Sequence, residues 1–349
     1  MSNAPIAPGS LVLVTGGTGF IGSHVVRTFL HDGFRVRLPA RTQEKGDKFV
    51  KHFSEYADKL EVVVIPDALR EGAYDEAVKG VAGIAHLATA IDIQSTDYDA
   101  VVPPSIAGTV GVLQSALKYG PTVQRVAICS SSGASGQPNP VPRAKFEADP
   151  SIAQKLDAST WNDKSIETIE AQRKNGKVTD GFQLYYVSKV LAERAAHDFI
   201  KNEKPNFTIS MILPNANFGD MIPCATGTST GGWSQAVADG QDMNQIDPQW
   251  FVNVDDTARL HVQALVSPDI KQGERIWAVS ERFTWNDIAA EVKKNKPEAN
   301  VVTVEGDKDR VDASDIDASR AQELLKEFGG FQGLAVTVRQ GLGLEKPRI

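Results

Sequence analysis

Apolar and polar positions alternate in two rhythms along the first half of the chain. Short, largely apolar runs at Leu11–Val14, Glu61–Ile65, Gly83–Leu87 and Val123–Ile128 suit strands buried on both faces of a parallel sheet. Between them the apolar spacing becomes helical, over Phe20–Leu30 and from about Tyr98 to Tyr119. Arg35–Ala40 alternates and then stops at Arg41-Thr42-Gln43-Glu44-Lys45, a second strand running into a helix start. This alternation of strand and helix predicts an α/β fold, a doubly wound parallel sheet with ligands outside the carboxyl ends of its strands. From 138 to 180 the chain turns polar and irregular and includes Pro138-Asn139-Pro140-Val141-Pro142, which reads as a functional excursion over the site. A helix from about Phe182 to Ile200 follows, then strands near 251–254 and 275–279, then amphipathic helical runs such as Arg320–Phe328.

The first strand and helix flank Thr15–Gly22, T-G-G-T-G-F-I-G. Gly16, Gly19 and Gly22 put no Cβ into the turn. With Thr18, Phe20 and Ile21 they let a pyrophosphate rest on the free N–H groups of the helix N-terminus. A lone glycine-rich turn is weak evidence, but a strand before it and a helix after it make this one a dinucleotide site. In the NAD form of such sites an acid about 20 residues on bonds the adenosine ribose, whereas an arginine accommodates a 2′-phosphate. Ala40-Arg41 occupies that junction, and Arg41 with Lys45 or Lys48 favours NADP(H); the alternative is an ordinary solvated helix end. Asp67, followed by Ala68, ends the third strand, where it could meet the adenine amino group or cap a helix. Leu87 and the small Ala88-Thr89-Ala90 leave room for a cofactor over the sheet edge, and His86 reads as a core histidine. A seryl cluster, Ser130-Ser131-Ser132, ends the fifth strand; by itself it is a capped turn.

On the helix after the excursion, Tyr185 and Lys189 stand four apart and share a face, whereas Tyr186 points elsewhere. A phenol of ordinary pKa, about 10, holds its proton too tightly for neutral chemistry, and an ammonium at about 4–6 Å stabilises the phenolate. Tyr185 is therefore the candidate acid, with Lys189 tuning it and holding the nicotinamide ribose. On an amphipathic helix the same spacing can be mere packing; a nucleotide turn and a strand-end serine before it make the catalytic reading the better one.

These motifs in this chain order resemble the extended short-chain dehydrogenase/reductase family from Leu11 to about Val266. They are most similar to its dihydroflavonol reductase and fungal NADPH-dependent aldehyde, ketone and methylglyoxal reductase branch. Marks of the branch are A-R-T-Q-E-K at 40–45, A-Y-D-E-A-V-K-G-V at 73–81 and L-P-N-A-N-F-G-D at 213–220. The resemblance implies a Rossmann-type domain over 1–213 that includes the catalytic helix. A mainly substrate-binding lobe would occupy 214–349, with the strands near 251–254 and 275–279 returning to the first domain. It implies Ser132 as the active-site serine, with Gly133 where the family has alanine. Pro214 and Asn215 would stand beside the cofactor. Ala90, Ser132, Gly133, Asn215, Phe218, Thr226 and Trp233 would line the substrate pocket. Asp157, Ser159 and Trp161 are what survives of a family D-E-S-x-W-like segment, and in Phe251–Asp256 an aspartate would cap a helix. Thr226–Trp233, rich in Gly, Ser and Thr, reads as a loop over the pocket.

The activity implied is reduction of a small-molecule ketone or aldehyde to an alcohol, with Tyr185 as proton donor. Two rivals are an NAD-dependent nucleotide-sugar epimerase or dehydratase, against which Arg41 speaks, and a non-catalytic NADP-sensing regulator, against which Tyr185 and Lys189 speak. The 349 residues are 41% hydrophobic, enough for a large core, and carry a formal net charge of -7 without a long basic run, which excludes a nucleic-acid partner. Cys129 and Cys224 have no metal-ligand spacing and read as free thiols in a reducing compartment, with no metal expected. Met1–Ser10 is not a secretory signal and no apolar stretch reaches about 20 residues. A cytoplasmic monomer or homodimer with no membrane partner is expected.

Overall fold

The computed structural model describes residues 6–89, 93–227 and 229–348. The first half runs β1 (Leu11–Thr15), α1 (Phe20–His31), β2 (Arg35–Ala40), α2 (Gln43–His52), β3 (Leu60–Val64), β4 (Gly83–His86), α3 (Tyr98–Tyr119) and β5 (Arg125–Cys129). Next come β6 (Pro140–Pro142), α4 (Arg143–Ala148), β7 (Gln154–Leu156), α5 (Asp163–Lys174), α6 (Gly181–Glu203), β8 (Thr208–Pro214), β9 (Ala216–Phe218) and α7 (Trp233–Ala238). The chain closes with β10 (Gln249–Asn253), α8 (Val254–Val266), β11 (Glu274–Ala278), β12 (Glu281–Phe283), α9 (Trp285–Asn295), β13 (Arg310–Asp312), β14 (Ser314–Ile316), α10 (Ser319–Leu325) and α11 (Leu334–Gly341).

Seven strands form a parallel sheet in the order β11-β8-β5-β4-β1-β2-β3. The two-residue period of each strand sorts its side chains. Val12 and Val14 meet Val25, Phe29 and Leu265 on one face, while Leu13 and Ile84 meet Val112, Leu113 and Phe199 on the other. The strand order reverses between β1 and β4, and there the ends of both strands open a crevice for a ligand. The register sets Thr15 opposite His86 at that point.

By length and composition the 22 residues of α3 are apolar enough to span a bilayer, a correction to the sequence reading. The helix instead packs on α6, burying Val112, Leu113 and Ala116 against the sheet and Val101 and Val102 against residues of α5 and α6. A second difference lies in 138–180, where β6 pairs antiparallel with β13 and β7 parallel with β14. These three-residue strands are too short to show a period, and their partners lie far along the chain. The excursion thus joins the C-terminal lobe. Of the two strands expected back in the main sheet, β11 pairs with β8, but β10 pairs with β9 and β12 in a separate three-stranded sheet. A buried strand pattern does not say which sheet it joins.

The acidic pair after β10 does not cap α8; Asn253 does, accepting from the Asp255 N–H at 2.9 Å. Asp255 instead holds α1, with His24 at 2.8 Å and Arg27 at 2.5 Å, and Arg27 also reaches Asp220 at 3.0 Å. The glycine-turn helix is thereby locked to α8 and to the loop after β9. Asp256 accepts from the Gln332 N–H at 2.7 Å and pairs with Arg348.

Candidate active site

At the β1–α1 turn the backbones pass too closely for side chains. Gly16 has φ +67, and a Cβ there would lie 2.6 Å from the Ala88 nitrogen; one on Gly22 would lie 2.1 Å from the Gly16 oxygen. Gly19 differs, since its Cβ would meet only the Gly16 oxygen at 3.3 Å, so its outer side is open. Gly19 is also the N-cap of α1, which has no side-chain cap and no acid in its first turn. The partial positive charge of the helix end and its N–H groups, with Phe20 and Ile21 leading, are left for an anion. Those features fit the pyrophosphate of a dinucleotide.

Beyond β2, the Thr42 hydroxyl caps α2 by accepting from the Lys45 N–H at 3.3 Å. Lys48 is drawn to Glu44 at 2.9 Å, and that ammonium holds the Glu44 carboxyl below its usual range. Arg41 and Lys45 form no ion pair among the described residues and suit a 2′-phosphate. Asp67 does not cap a helix; it closes a turn, accepting from the Leu69 N–H at 2.9 Å. Ala68 follows in that turn. Leu87 and Ala88 are stitched to Thr15 through its carbonyl (3.1 Å) and hydroxyl (3.2 Å), beside Thr89. Ala90 lies outside the described residues.

The three serines after β5 have separate fates. Ser130 donates to the buried Glu193 carboxylate, and the Ser131 hydroxyl accepts from the Gly133 N–H at 3.1 Å to cap a 3₁₀ turn over Ser132–Ala134. Ser132, half-buried, makes no side-chain hydrogen bond among the described residues and keeps its hydroxyl for a ligand. The turn packs against α6. There the Lys189 ammonium lies 5.9 Å from the centre of the Tyr185 ring. Lys189 is 6% exposed and has no ion pair or hydrogen bond among the described residues, whereas Tyr185 is half-buried. Tyr186 turns its ring onto Gly133, where a Cβ would meet it at 2.4 Å. That packing accounts for glycine in place of alanine. Burial pushes the Tyr186 phenol well up, and the Tyr185 charge pushes it further, which makes Tyr186 a poor acid.

Phe218 is fully buried between Phe251, Phe283 and Trp233, so it belongs to the core of the C-terminal lobe and not to a pocket wall. Trp233, partly exposed, packs on Phe218 and Trp285, with ring centres 5.6 and 5.2 Å away, as one of five aromatic rings in this lobe that seek one another. Thr226 hooks the glycine turn, its N–H and hydroxyl donating to the Thr18 carbonyl at 2.7 and 3.0 Å. The Gly/Ser/Thr loop is thus tied to the cofactor side. Pro214 ends β8, and Asn215 stays partly exposed with its amide oxygen on the Ala216 N–H at 2.8 Å.

Sequence reasoning overlooked two supports. Buried Asn162 donates to the Gly133 carbonyl through its amide (2.9 Å) and to the Ala134 carbonyl through its backbone (3.1 Å), while its side-chain oxygen caps α5. An asparagine directly before a helix was the available signal. Glu193, one turn beyond Lys189, pairs at 2.5 Å with Arg275, which also holds the Ala158 and Thr160 carbonyls and lies 4.1 Å from the Trp161 ring centre. Asp157 and Ser159 close a local turn in that segment. The surviving D-x-S-x-W residues therefore dock the excursion onto the buried pair.

The model of the NAD dependent epimerase/dehydratase family matches residues 12–156. Over 99% of its length the chain is 33% identical to Aldehyde reductase 2 of Sporidiobolus salmonicolor and covers 98% of that protein. It is 31% identical to Ketoreductase adrE of Penicillium roqueforti, covering 98% of each. The crystal structure of Gre2 in complex with NADPH from Candida albicans superposes on 97% of this chain and 100% of its own, with a TM-score of 0.79 and 26% identity. Identity across nearly the whole length, together with the glycine turn, the strand-end serine and the Tyr185–Lys189 helix, places this chain in the extended short-chain dehydrogenase/reductase family.

Proposed function

We propose that the chain reduces a ketone or aldehyde to an alcohol with NADPH, and that Tyr185 is the proton donor. The observation that carries this reading is the buried Lys189 ammonium, unpaired among the described residues and 5.9 Å from the Tyr185 ring, beside the free Ser132 hydroxyl turn on α6. NADPH, when bound, supplies the hydride. Its pyrophosphate would rest on the open Gly19 end of α1, its 2′-phosphate on Arg41 and Lys45, and its nicotinamide ribose against Lys189. Ser132 holds the substrate carbonyl oxygen by donating to it, and Tyr185 delivers the proton as charge develops there. Lys189 stabilises the phenolate left behind, which lowers the cost of that transfer. General acid catalysis of this kind contributes about 10²–10⁴ in rate. The fold names no particular carbonyl compound; relatives described as aldehyde and ketoreductases support the class. Residues 1–213 would hold the cofactor and 214–349 most of the substrate. The two cysteines are free and burial pushes both thiols up to about 11, in keeping with a cytoplasmic setting without disulfides.

The test is NADPH oxidation across a panel of aldehydes, diketones and aryl ketones by wild type, Tyr185→Phe and Tyr186→Phe. Tyr185→Phe should lower kcat at least about a hundredfold with NADPH binding nearly intact, and Tyr186→Phe should stay within a fewfold of wild type. Equal activity in the two variants would remove Tyr185 from the mechanism.

A further inference from the structure

The turn that carries Ser132 is tied down on both flanks. Ahead of it, Ser130 donates to the Glu193 carboxylate on α6. Behind it, the Ser135 hydroxyl meets the Thr160 carbonyl at 2.8 Å and the Thr160 hydroxyl at 2.6 Å. Glu193 and Thr160 are themselves joined, because Arg275 pairs with the Glu193 carboxylate at 2.5 Å and donates to the Thr160 carbonyl at 2.6 Å. A ring of bonds through Ser130, Glu193, Arg275, Thr160 and Ser135 therefore closes around the turn.

Asn162 reaches the turn from the same segment. It is 4% exposed and stands directly before α5. Its side-chain oxygen accepts from the Ser165 N–H at 3.2 Å, and its amide nitrogen donates to the Gly133 carbonyl at 2.9 Å. A backbone donor on one side and a carbonyl on the other fix which end of the amide is which. The Asn162 backbone N–H donates to the Ala134 carbonyl at 3.1 Å. Gly133 and Ala134 follow Ser132 directly, so these two bonds hold the peptide groups just beyond the serine. Glycine allows a wider range of backbone angles than alanine. Asn162 thus takes back the freedom that Gly133 would give the turn.

We propose that Asn162 is a positioning residue for Ser132, acting through the Gly133 carbonyl to keep the serine hydroxyl on the carbonyl oxygen of the substrate. The segment 157–162 then sets the geometry of the reacting site as well as docking on the buried Glu193 and Arg275 pair. The inference rests on the reading of Ser132 given above.

Two substitutions remove the bond to Gly133 and leave the rest of the residue's work in place. Asn162→Ser keeps an oxygen to cap α5 and the backbone N–H for Ala134, but it is too short to reach the Gly133 carbonyl. Asn162→Asp keeps the size and the cap and turns an acceptor toward that carbonyl. Each is made in the wild-type and in the Ser132→Ala background. The measurements are the rate of hydride transfer from NADPH to a ketone in a single turnover, NADPH affinity by fluorescence, and Tm. In the wild-type background both substitutions should slow hydride transfer at least about tenfold, with NADPH affinity changed less than about twofold. In the Ser132→Ala background, where there is no hydroxyl left to misplace, the same substitutions should slow it less than about twofold. A merely structural support would lower Tm and slow the reaction equally in both backgrounds, and that result would overturn the proposal. Wild-type rates in both Asn162 variants would overturn it as well. The cycle can be read from either variant, so one that fails to fold, seen in its Tm, leaves the other to decide. Ser132→Ala alone tests the reading beneath: a wild-type rate there removes the role of Ser132 and the proposal with it. A slow Ser132→Ala to which Asn162→Ser adds its full loss refutes Asn162 alone.

Discussion

Gly133→Ala adds one methyl group at the point where the Ser132–Ala134 turn meets α6. The added Cβ would lie 2.4 Å from Tyr186 Cδ1 and 2.9 Å from Cε1, with the Ser131 hydroxyl at 3.3 Å. Carbon atoms rest at about 3.5–4.0 Å, so the ring or the turn must retreat by about 1 Å. The ring is anchored in the second turn of α6, and the turn is held by the Ser131 cap and by Asn162 on the Gly133 and Ala134 carbonyls. Overpacking of this sort costs about 1–3 kcal/mol, since neither side can yield freely. Ser132 moves with the turn, and a displacement of about 1 Å at a reacting centre can lower the rate about a hundredfold. The assay is a double-mutant cycle with Tyr186→Ala, reading urea unfolding and kcat. In the Tyr186→Ala background the same methyl group meets no ring, and its cost should fall below about 0.5 kcal/mol. Equal costs in the two backgrounds would refute the reasoning, because the clash would then not be with Tyr186.

Arg41→Ala should narrow the preference for NADPH over NADH in kcat/KM by about tenfold, an exposed charge-assisted bond to the 2′-phosphate being worth about 1.5 kcal/mol. Lys48→Ala, whose ammonium is already paired with Glu44, should change that ratio less than twofold; the reverse ranking would move the phosphate site along α2. Glu193→Ala strands the Arg275 guanidinium, 6% exposed, among carbonyls and should cost about 3–5 kcal/mol, read as a fall in Tm. An unchanged Tm would show that the pair does not hold the 157–161 segment.

The main sheet could be read because each of its strands carries its own record. Val12-Leu13-Val14 sends alternate side chains into two different cores, so the run is apolar throughout, and the glycines after it permit only one kind of turn. The short strands β6 and β7 carry no such record. Apart from Leu156 their residues are half-buried or exposed, and what makes them strands is pairing with β13 and β14 about 160–170 residues away. The pocket assignment of Phe218 failed for a related reason. Spacing along the chain marks an aromatic residue as important, but only the arrival of Phe251, Phe283 and Trp285 from later elements decides that its ring faces a core.

At the site, helical geometry alone separated Tyr185 from Tyr186, since a four-residue step is a local fact. The serine cluster held no comparable local information, because three adjacent hydroxyls differ only in what the rest of the fold brings to them. Glu193 reaches Ser130 from α6, and the next residue is turned back on its own backbone as a cap. The third is left without a partner among the described residues at the edge of the sheet. His86 teaches the same thing from the opposite side. As a histidine inside an apolar strand it reads as core, and it is buried as a core residue is; yet its Nδ1 meets the Thr15 hydroxyl, and the residue lines a small cavity together with Lys189. Burial by itself therefore does not separate a structural histidine from a working one.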